Sequence, residues 1–404
     1  MSIFNRLFGR KNAEIIDTSE KLAALLGSWY SSDAGEEITS ANALQITTVY
    51  SCIRVIAESI GMLPSSMMVE TQKGKEKALE HPVHRLFNVA PNEYMTAQEY
   101  KELITAHLML KGNHYSYINR INGRPAELLP MAPDAVSVKL LNDYTVEYTV
   151  TFKNGTTQVV PSGDILHIKL MTVDGVTGLS PISQARNALG LAKATERHGS
   201  RLFKNGANPF GVLKAQGNLT DEQFNGLKGQ IESYSGDGAF KPLILEGGLE
   251  WTQVAISPED SQFLETRKYQ RSEIAGLFRV PPHMIGDLER ATFSNIEHQS
   301  LQFVREALMP HITRIENRVR LSLIPENEQS RYFLKFNVNA LLRGDMKTRA
   351  EFYTKLQQAG ALSPNEIREK EDMNPREGGD IYLTPLNMAI NGKPIEESEN
   401  ADQE

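Results

Sequence analysis

The chain has 404 residues, 40% hydrophobic and 23% charged, which is typical of a globular protein with room for two or three structural units. The formal net charge is −7, so the chain does not have the excess of basic residues that is typical of proteins that recognise a DNA sequence. A surface along which DNA only slides does not require such an excess, because tight phosphate contacts would hold the DNA in place. Apolar runs are too short for a membrane-spanning helix. The single cysteine, Cys52, is spaced helically among Val49, Ile53 and Ile56, so we expect a buried apolar filler and no internal disulfide.

The first residues are predicted to be an arm with little fixed structure. Residues 12–46 are mixed and polar, and we expect the stretch SSDAGEE at 31–37 to be the most mobile. Residues 1–11, MSIFNRLFGRK, lack the long apolar core and cleavage site of a signal peptide. Their apolar side chains fall on one side with basic ones around them, which suits a membrane surface or a groove on a partner. We favour docking on a partner.

An α+β region is predicted next. An apolar stripe indicates a helix over 47–62, and Thr96 with Glu99 forms a capping box that opens a second helix. Asn-Gly pairs at 122–123 and 154–155 lie between stretches rich in β-branched and aromatic residues. Both pairs therefore predict β-hairpins.

From residue 180, two long helices are predicted to flank a small unit. The first begins at Ser180-Pro181 and reaches about Phe203, and the second runs from Ser257 to a corner at Pro281-Pro282. The segment between them is predicted to hold three short strands and a helix opened by a Thr-Gln capping box. The layout is helix, small α/β unit, helix.

A polar loop and another helix are predicted after the corner. The helix spans 295–323, and Pro310 inside it removes one backbone hydrogen bond and is expected to kink it. A short strand at YFLKFNV follows, and then helices over 345–360 and from Ser363 onward. An acidic tail, expected to be disordered, completes the chain.

Motifs of catalysis and metal binding are missing from the sequence. It holds no P-loop, G-x-S-x-G, H-E-x-x-H or C-x-x-C pattern. The closest histidine pair, His81 and His84, has Pro82 between its members and Glu80 as its acidic neighbour, so we expect no metal site there. The nine histidines are scattered, and we predict that they form no constellation. We predict no enzymatic activity, no cofactor and no metal; the alternative is a soluble α+β enzyme or small-molecule-binding protein with titratable residues gathered in a pocket.

Several long motifs resemble the portal proteins of tailed bacteriophages, specifically the HK97-type family. In chain order they are GLSPISQA, FKNGANPFGVLK, GLEWTQVAISPEDSQFLETRKYQ, FRVPPHMIG, ERATFSNIE and GDMKTRAEFYTKLQQAGALSPNEIREKEDMNP, and the similarity covers most of residues 40–380. The resemblance implies a ring, usually of twelve subunits, at one capsid vertex, through which double-stranded DNA is packaged and ejected. It implies as partners other copies of the chain, the major capsid protein, a separate terminase, head-completion or connector proteins, and DNA that passes non-specifically. It implies no membrane partner, assembly in the bacterial host cytoplasm, and a final place at the portal vertex of the virion.

The resemblance also implies a portal-type α+β architecture. Its parts are an N-terminal arm, partly disordered (1–46), an α+β wing (47–179), a stem helix (180–207), an α/β clip (208–256), a second stem helix (257–282), a tunnel-loop region (283–299), the kinked helix and strand of the wing (300–342), a helical crown (343–380) and an acidic disordered tail (381–404). The two prolines at the corner restrict their own and the preceding backbone, so they form a stiff turn that re-aims the chain.

The same resemblance implies three groups of site residues. A DNA-facing tunnel loop comprises Asp287, Glu289, Arg290, Thr292, Ser294 and Asn295, a corner or hinge comprises Pro281, Pro282, Gly286 and Pro310, and a clip core or subunit interface comprises Leu243, Leu245, Leu249 and Trp251. Loop side chains that are short or mixed in charge would narrow a channel without gripping phosphates. Without the family, the loop reads as an ordinary exposed connection and the clip residues as core.

Overall fold

The computed structural model describes residues 32–72, 74–204, 211–214, 220–233, 250–253, 259–288, 293–341, 346–371, 373–383, 389–390 and 393–394. These residues belong to two compact units, Met1–Asn337 and Val338–Glu404. Both units combine helices with short antiparallel strands, which confirms the predicted α+β class. Within the described ranges, no helix has the length and apolar character needed to span a bilayer.

The first unit contains helices that pack on small antiparallel sheets. Its helices are α1 (Ser40–Ala43), α2 (Thr47–Gly61), α3 (Pro82–Asn88), α4 (Ala97–Lys111), α5 (Pro181–Gln184), α6 (Arg186–Lys204), α7 (Asp221–Ser233), α8 (Glu259–Leu277), α9 (Phe293–Gln302) and α10 (Met309–Leu323). Its strands are β1 (Ser65–Thr71), β2 (Gly74–Lys77), β3 (Asn113–Ile121), β4 (Arg124–Met131), β5 (Val136–Leu140), β6 (Val146–Thr151), β7 (Thr157–Val160), β8 (Ile165–Lys169), β9 (Gly211–Lys214), β10 (Glu250–Gln253) and β11 (Tyr332–Phe336). The strand orders are β11-β1-β2, β4-β3-β8, β5-β6-β7 and β10-β9.

The core of this unit lies where α2 and α4 pack together. Ile56 and Ile60 of α2 and Ile104 and Leu108 of α4 are fully buried, and burying one such side chain contributes about 1.5–3 kcal/mol. The predicted capping box of α4 is confirmed, since Thr96 Oγ1 accepts from Glu99 N and Glu99 accepts from Thr96 N. Burial thus fixes the middle of both helices, and capping fixes the start of α4.

Glycine is required at the end of α4. Gly112 has φ +75°, a left-handed conformation that closes the helix. A Cβ atom there would lie 2.3 Å from the carbonyl oxygen of Leu179. Both the turn and the close approach of the chain before α5 therefore exclude any side chain. The predicted hairpins also form: Asn122 and Gly123 both have positive φ between β3 and β4, and the second pair joins β6 to β7.

The prediction of little fixed structure is wrong for residues 32–46. Glu36, inside the stretch expected to be most mobile, is buried and forms ion pairs with Lys193 and Arg197 of α6 at 3.5 and 2.5 Å. Ile38 and Ala43 are buried as well. Sequence reasoning missed this because the partners of the arm lie more than 150 residues away along the chain.

The long helices follow the predicted layout with small differences. The first is interrupted at Ala185, which separates α5 from α6. The capping box that opens α7 is confirmed by reciprocal bonds between Thr220 and Gln223. Helices α6 and α8 lie against each other, and Gln270 Nε2 donates to Thr195 Oγ1 at 3.1 Å. Helix α8 thus brings the chain back alongside α6.

The second unit contains helices α11 (Met346–Gln358) and α12 (Pro364–Lys370) and the short strands β12 (Ala389–Ile390) and β13 (Lys393–Pro394). The predicted capping box at Ser363 and Glu366 is confirmed. Glu371 accepts a hydrogen bond from Tyr353 at 2.7 Å and pairs with Arg349 at 3.2 Å, which ties the two helices together. Strands β12 and β13 pair antiparallel, so the expectation of disorder in 381–404 is wrong for this hairpin.

Candidate functional site

The candidate site begins where α8 ends. Arg279 has φ +55°, Val280 N donates to Ala275 O at 3.0 Å, and Arg279 N donates to Gly276 O at 3.1 Å. This pair of bonds is the Schellman motif, in which glycine usually occupies the left-handed position. An arginine there costs about 1–2 kcal/mol of backbone strain. Contacts of the Arg279 side chain must therefore offset this backbone strain.

The two prolines form the predicted corner. Pro281 has φ −59°, and Pro282 opens a single 3-10 turn, Pro282–Ile285. Gly286 closes the turn with φ +81°, and Asp287 N donates to Pro282 O at 3.0 Å. His283 Nδ1 is hydrogen-bonded to Gln299 Oε1 at 2.8 Å, and Arg271 of α8 donates to the carbonyl of Ile285. The corner is therefore held from both sides, by α8 and by α9.

The predicted single helix over 295–323 is wrong in its middle. Between α9 and α10 lies a π-helical segment, Phe303–Leu308, in which Met309 N donates to Val304 O, five residues back. Pro310 lies in the first turn of α10, where proline is tolerated, instead of in a helix interior. The wider π turn accommodates the proline, which has no N–H and would clash with a preceding carbonyl in a regular α-helix.

One side chain connects the corner with this irregular helix. Pro310 has no N–H to offer to Glu306 O, the carbonyl four residues earlier. Arg279 Nη1 donates to that oxygen at 3.1 Å. The arginine in the strained position thus supplies the hydrogen bond that the proline cannot make. We call this contact between Arg279 and Glu306 the corner pin.

Helix α2 supports the corner from the core. It lies against α8, against the 3-10 turn and against the π-helical segment. Cys52 of α2 is fully buried, and burial raises the pKa of its thiol to about 12 while the nearby Arg271 opposes that rise. The expectation that Cys52 is an apolar filler is confirmed. The corner therefore rests on the same helix as the main core.

The structure places only part of the predicted tunnel loop. Asp287 is half-buried and Leu288 is 64% exposed. Glu289, Arg290 and Thr292 lie outside the described residues. Ser294 and Asn295 belong to the first turn of α9, since that helix begins at Phe293, two residues earlier than predicted. The loop is therefore short and is bounded by the corner and α9.

The predicted clip is described in part. Two of its three predicted strands are β9 and β10, which pair antiparallel with Trp251 opposite Leu213. Leu243, Leu245 and Leu249 lie outside the described residues, as does the third predicted strand, KPLILE. Whether the four predicted clip residues form a core or an interface stays a prediction.

Sequence reasoning, which treated the histidines as scattered, missed a cluster of hydrogen-bonded histidines. His107 Nδ1 and His114 Nδ1 are hydrogen-bonded at 3.1 Å, and His114 Nε2 is bonded to Ser116 Oγ at 2.9 Å. On the same sheet, His167 is bonded to Tyr148 OH at 3.1 Å and to Asn113 Oδ1 at 3.0 Å. The available signal was the alternation of His114 with Ser116, which puts both on one face of β3.

These histidines are kept neutral by burial. Burial lowers the pKa of His107 to about 4 and that of His167 to about 3, and it holds the pKa of His114 well below its usual range. Satisfied hydrogen bonds make such a buried network tolerable. Among the described residues, no group of three or more His, Cys, Asp or Glu side chains is arranged to hold a metal ion. The hydrogen bonds of His107 and His167 tie α4 and β8 to β3.

Comparisons with known proteins place the chain in a family. The phage portal protein family profile matches residues 47–372. The portal protein of Enterobacteria phage HK97 is 34% identical over 87% of this chain and 85% of its own length, and the probable portal protein of Streptomyces phage phiC31 is 30% identical over 98% and 91%. A chain in the virion of a native gene transfer agent particle is 25% identical, with a TM-score of 0.58 over 88% of this chain and 99% of that one. An HK97 family phage portal protein from Corynebacterium diphtheriae shares the fold at 15% identity, with a TM-score of 0.57 over 76% and 98%. The predicted resemblance is confirmed, and this chain belongs to the phage portal protein family.

Proposed function

We propose that twelve copies of this chain form a closed ring at one vertex of a phage capsid, and that double-stranded DNA enters and leaves through its centre. The observation that carries the proposal is the match of residues 47–372 to the portal family. Relatives that are 25% identical were solved as the neck of gene transfer agent particles, with C6 symmetry in one case and C12 symmetry in another. A ring made of identical subunits has closed cyclic symmetry, which supports a fixed channel diameter.

The proposed stem is the pair of helices α6 and α8. Their mutual packing and the hydrogen bond between Gln270 and Thr195 support this assignment. The pairing of β9 with β10, which links the segments beyond the two helices, supports a clip at their far end. In this assignment the wing is built from residues 47–179 and 300–342, and the crown from 343–380.

The loop that follows the corner is proposed to face the channel. The corner sets the direction in which the chain leaves the 3-10 turn at Asp287 and Leu288, and the corner pin ties the corner to the π-helical segment that precedes α10. A loop with acids beside Arg290 presents no continuous basic surface. Because phosphate contacts dominate the affinity of proteins for DNA, their scarcity favours sliding over gripping.

The proposed partners follow from the portal role. They are other copies of the chain, the major capsid protein, the terminase that drives packaging, and head-completion or connector proteins. DNA passes without base-specific contacts, and the chain itself is a structural component of the particle with no catalytic step of its own. Residues 1–11, outside the described part, are proposed to dock on a neighbouring ring or capsid surface after assembly in the host cytoplasm.

Electron microscopy of the purified protein, together with its native mass, tests the proposal. Rings with a central hole and a mass near twelve times the 45.1 kDa chain are expected. A neighbouring subunit count in the isolated ring would keep the conduit and revise the stoichiometry. A uniform monomer or dimer at all concentrations and salt conditions would contradict the ring and favour the alternative of a soluble enzyme or small-molecule-binding protein.

A further inference from the structure

A second feature of the first unit lies away from the corner. A cleft of about 760 Å³ opens between β8, the β5–β6 turn and the C-terminal end of α10. Three cationic side chains line it: Arg120 from β3, Lys169 from β8 and Arg318 from α10. Because these residues come from separate elements, their proximity could not be predicted from the sequence.

Two of the three cations are already engaged by backbone oxygens. Arg120 Nη2 donates to Gly163 O at 3.1 Å and to Ser322 O at 2.8 Å. Lys169 Nζ donates to the carbonyls of Gly175 and Val176. Arg120 also forms an ion pair with Asp164 at 3.8 Å. The carbonyls around Lys169 are neutral, so they satisfy its donors without neutralising its charge.

Arg318 differs from both neighbours. It is half-buried and forms no hydrogen bond or ion pair with any residue that the structure describes. Its charge acts on the cleft: after burial, it is the next cause that lowers the pKa of both His167 and Lys169. A partly buried guanidinium whose five N–H donors are not bonded to protein can pair with an anion that enters the cleft. The guanidinium of Arg318 therefore gives the cleft a positive charge and N–H donors that are not bonded to protein.

The negative end of α10 does not supply that anion. Its last carbonyls are occupied, since Ser322 O accepts from Arg120, and Gln329 Nε2 donates to Ile324 O at 2.9 Å. The acidic side chain in the lining, Glu326, is exposed. Arg318 is therefore available to an anion from outside the chain.

The remaining lining decides which kind of anion fits. Apolar side chains, including Val146, Ile165 and Leu321, share the cleft with the cations, and Tyr144 stands 85% exposed at its edge. Duplex DNA does not fit, because the volume equals that of a cube with an edge of about 9 Å, whereas the major groove alone is about 12 Å wide. A free phosphate would leave the apolar wall uncovered. Peptide side chains supply both apolar surface and carboxylates.

We propose that this cleft binds an acidic peptide segment of a partner protein, with a carboxylate of that segment accepting hydrogen bonds from Arg318. Planar guanidinium groups pair with carboxylates through two parallel hydrogen bonds, which gives the contact direction as well as energy. The apolar wall covers the side chains that flank the carboxylate. The cleft is built within one copy of the chain, so binding does not require the ring.

A labelled peptide of alternating Glu and Leu residues tests the site by fluorescence anisotropy with the purified full-length protein. The wild-type chain should bind it and should ignore the matched peptide of Gln and Leu. Arg318→Gln should weaken binding about tenfold or more, as expected for the loss of a charge-assisted hydrogen bond. Arg331→Gln is the matched control, because it removes an equal charge from an exposed residue outside the cleft and should leave binding unchanged.

Several outcomes would overturn the proposal. Wild-type protein that does not bind the acidic peptide would do so, as would equal binding by Arg318→Gln. Binding of inorganic phosphate that depends on Arg318, without peptide binding, would assign the cleft to a free anion instead. If Arg318→Gln fails to fold, hydrogen exchange of the wild-type protein decides, because the bound peptide should slow exchange over 144–148 and 318–325. Unchanged exchange at saturating peptide would also reject the site.

Discussion

The core around α2 and α4 and the corner between α8 and α10 are built in different ways. In the core, α4 ends as local rules require, with a capping box at Thr96 and a left-handed glycine at 112. In the corner, Arg279 occupies the position where glycine is usual, two prolines follow it, and a π-helical segment precedes Pro310. Departures from local rules concentrate at functional sites, where the surrounding structure compensates for them. The corner has this character and the core does not.

The two regions also differ in what holds them. Core stability is spread over many fully buried side chains. The corner combines buried apolar side chains, Phe278 and Val280, with single polar contacts, chiefly the corner pin and the bond between His283 and Gln299. Loss of a buried side chain in the core should therefore lower the free energy of unfolding of the first unit, whereas loss of one polar contact in the corner should alter local geometry at small cost in stability.

The largest expected effect is a cavity in the core. Ile56→Ala removes a fully buried side chain of α2 and should lower the free energy of unfolding by about 2–5 kcal/mol. The matched control is Ile121→Ala, because Ile121 is 62% exposed and its substitution should lower the free energy of unfolding by much less. Urea denaturation measures both. Equal losses in the two variants would show that the core is not where the stability of the unit lies.

Acid should be the weak point of the core. The pKa of His107 is lowered from 6.5 to about 4, so between these values the unfolded chain binds more protons than the folded one. The histidine contribution is complete above about pH 6.5 and is lost as the pH falls toward 4, by about 1.4 kcal/mol for each unit of pKa difference. His167 extends the loss toward pH 3, in the range where carboxylates with lowered pKa values, such as Asp174, also contribute.

Denaturation at several pH values tests this sign and its source. His107→Gln should flatten the fall in unfolding free energy between pH 6.5 and 4 relative to the wild-type profile. A His107→Gln profile that is parallel to the wild-type profile would exclude His107 as a source of the acid sensitivity.

The strained arginine gives the next effect. Arg279→Ala and Arg279→Gly both remove the corner pin, but only glycine relieves the positive φ. The glycine variant should therefore be more stable than the alanine variant by about 1 kcal/mol. Both should speed amide exchange at 286–288 relative to wild type. Identical stabilities would mean that the left-handed conformation is not retained, and unchanged exchange would mean that the pin does not position the loop.

The smallest change in stability is expected for Pro310→Ala. The new N–H competes with Arg279 for Glu306 O, so the π-helical segment should shift toward regular α-helix. The free energy of unfolding should change by less than about 1 kcal/mol, but loop exchange, DNA packaging and DNA retention should change. If all three are unaltered, the irregular helix does not transmit the position of the loop to the wing.

Local signals predicted much of this fold, and contacts distant in sequence account for what they missed. The helix over 47–62, the capping boxes and the Asn-Gly hairpins depend on neighbouring residues, and each appears within a residue or two of its predicted place. The corner could be predicted because Pro281 and Pro282 restrict the backbone locally and Gly286 permits the positive φ that closes the turn. The pin was not, since Arg279 and Glu306 are 27 residues apart, and the order of residues 32–46 depends on charges in α6. At both places, tertiary contacts override the local secondary-structure propensity of the sequence.

The most direct test of the account asks whether the loop after the corner faces DNA. Cys52 is the single cysteine of the chain and is buried with a raised pKa, so Leu288→Cys would carry the one reactive thiol. Its labelling by a maleimide should be rapid in empty rings and strongly slowed in DNA-filled particles. Val159→Cys, exposed on β7, should label at the same rate in both. Equal labelling of Cys at 288 with and without DNA would contradict the placement of this loop in the channel.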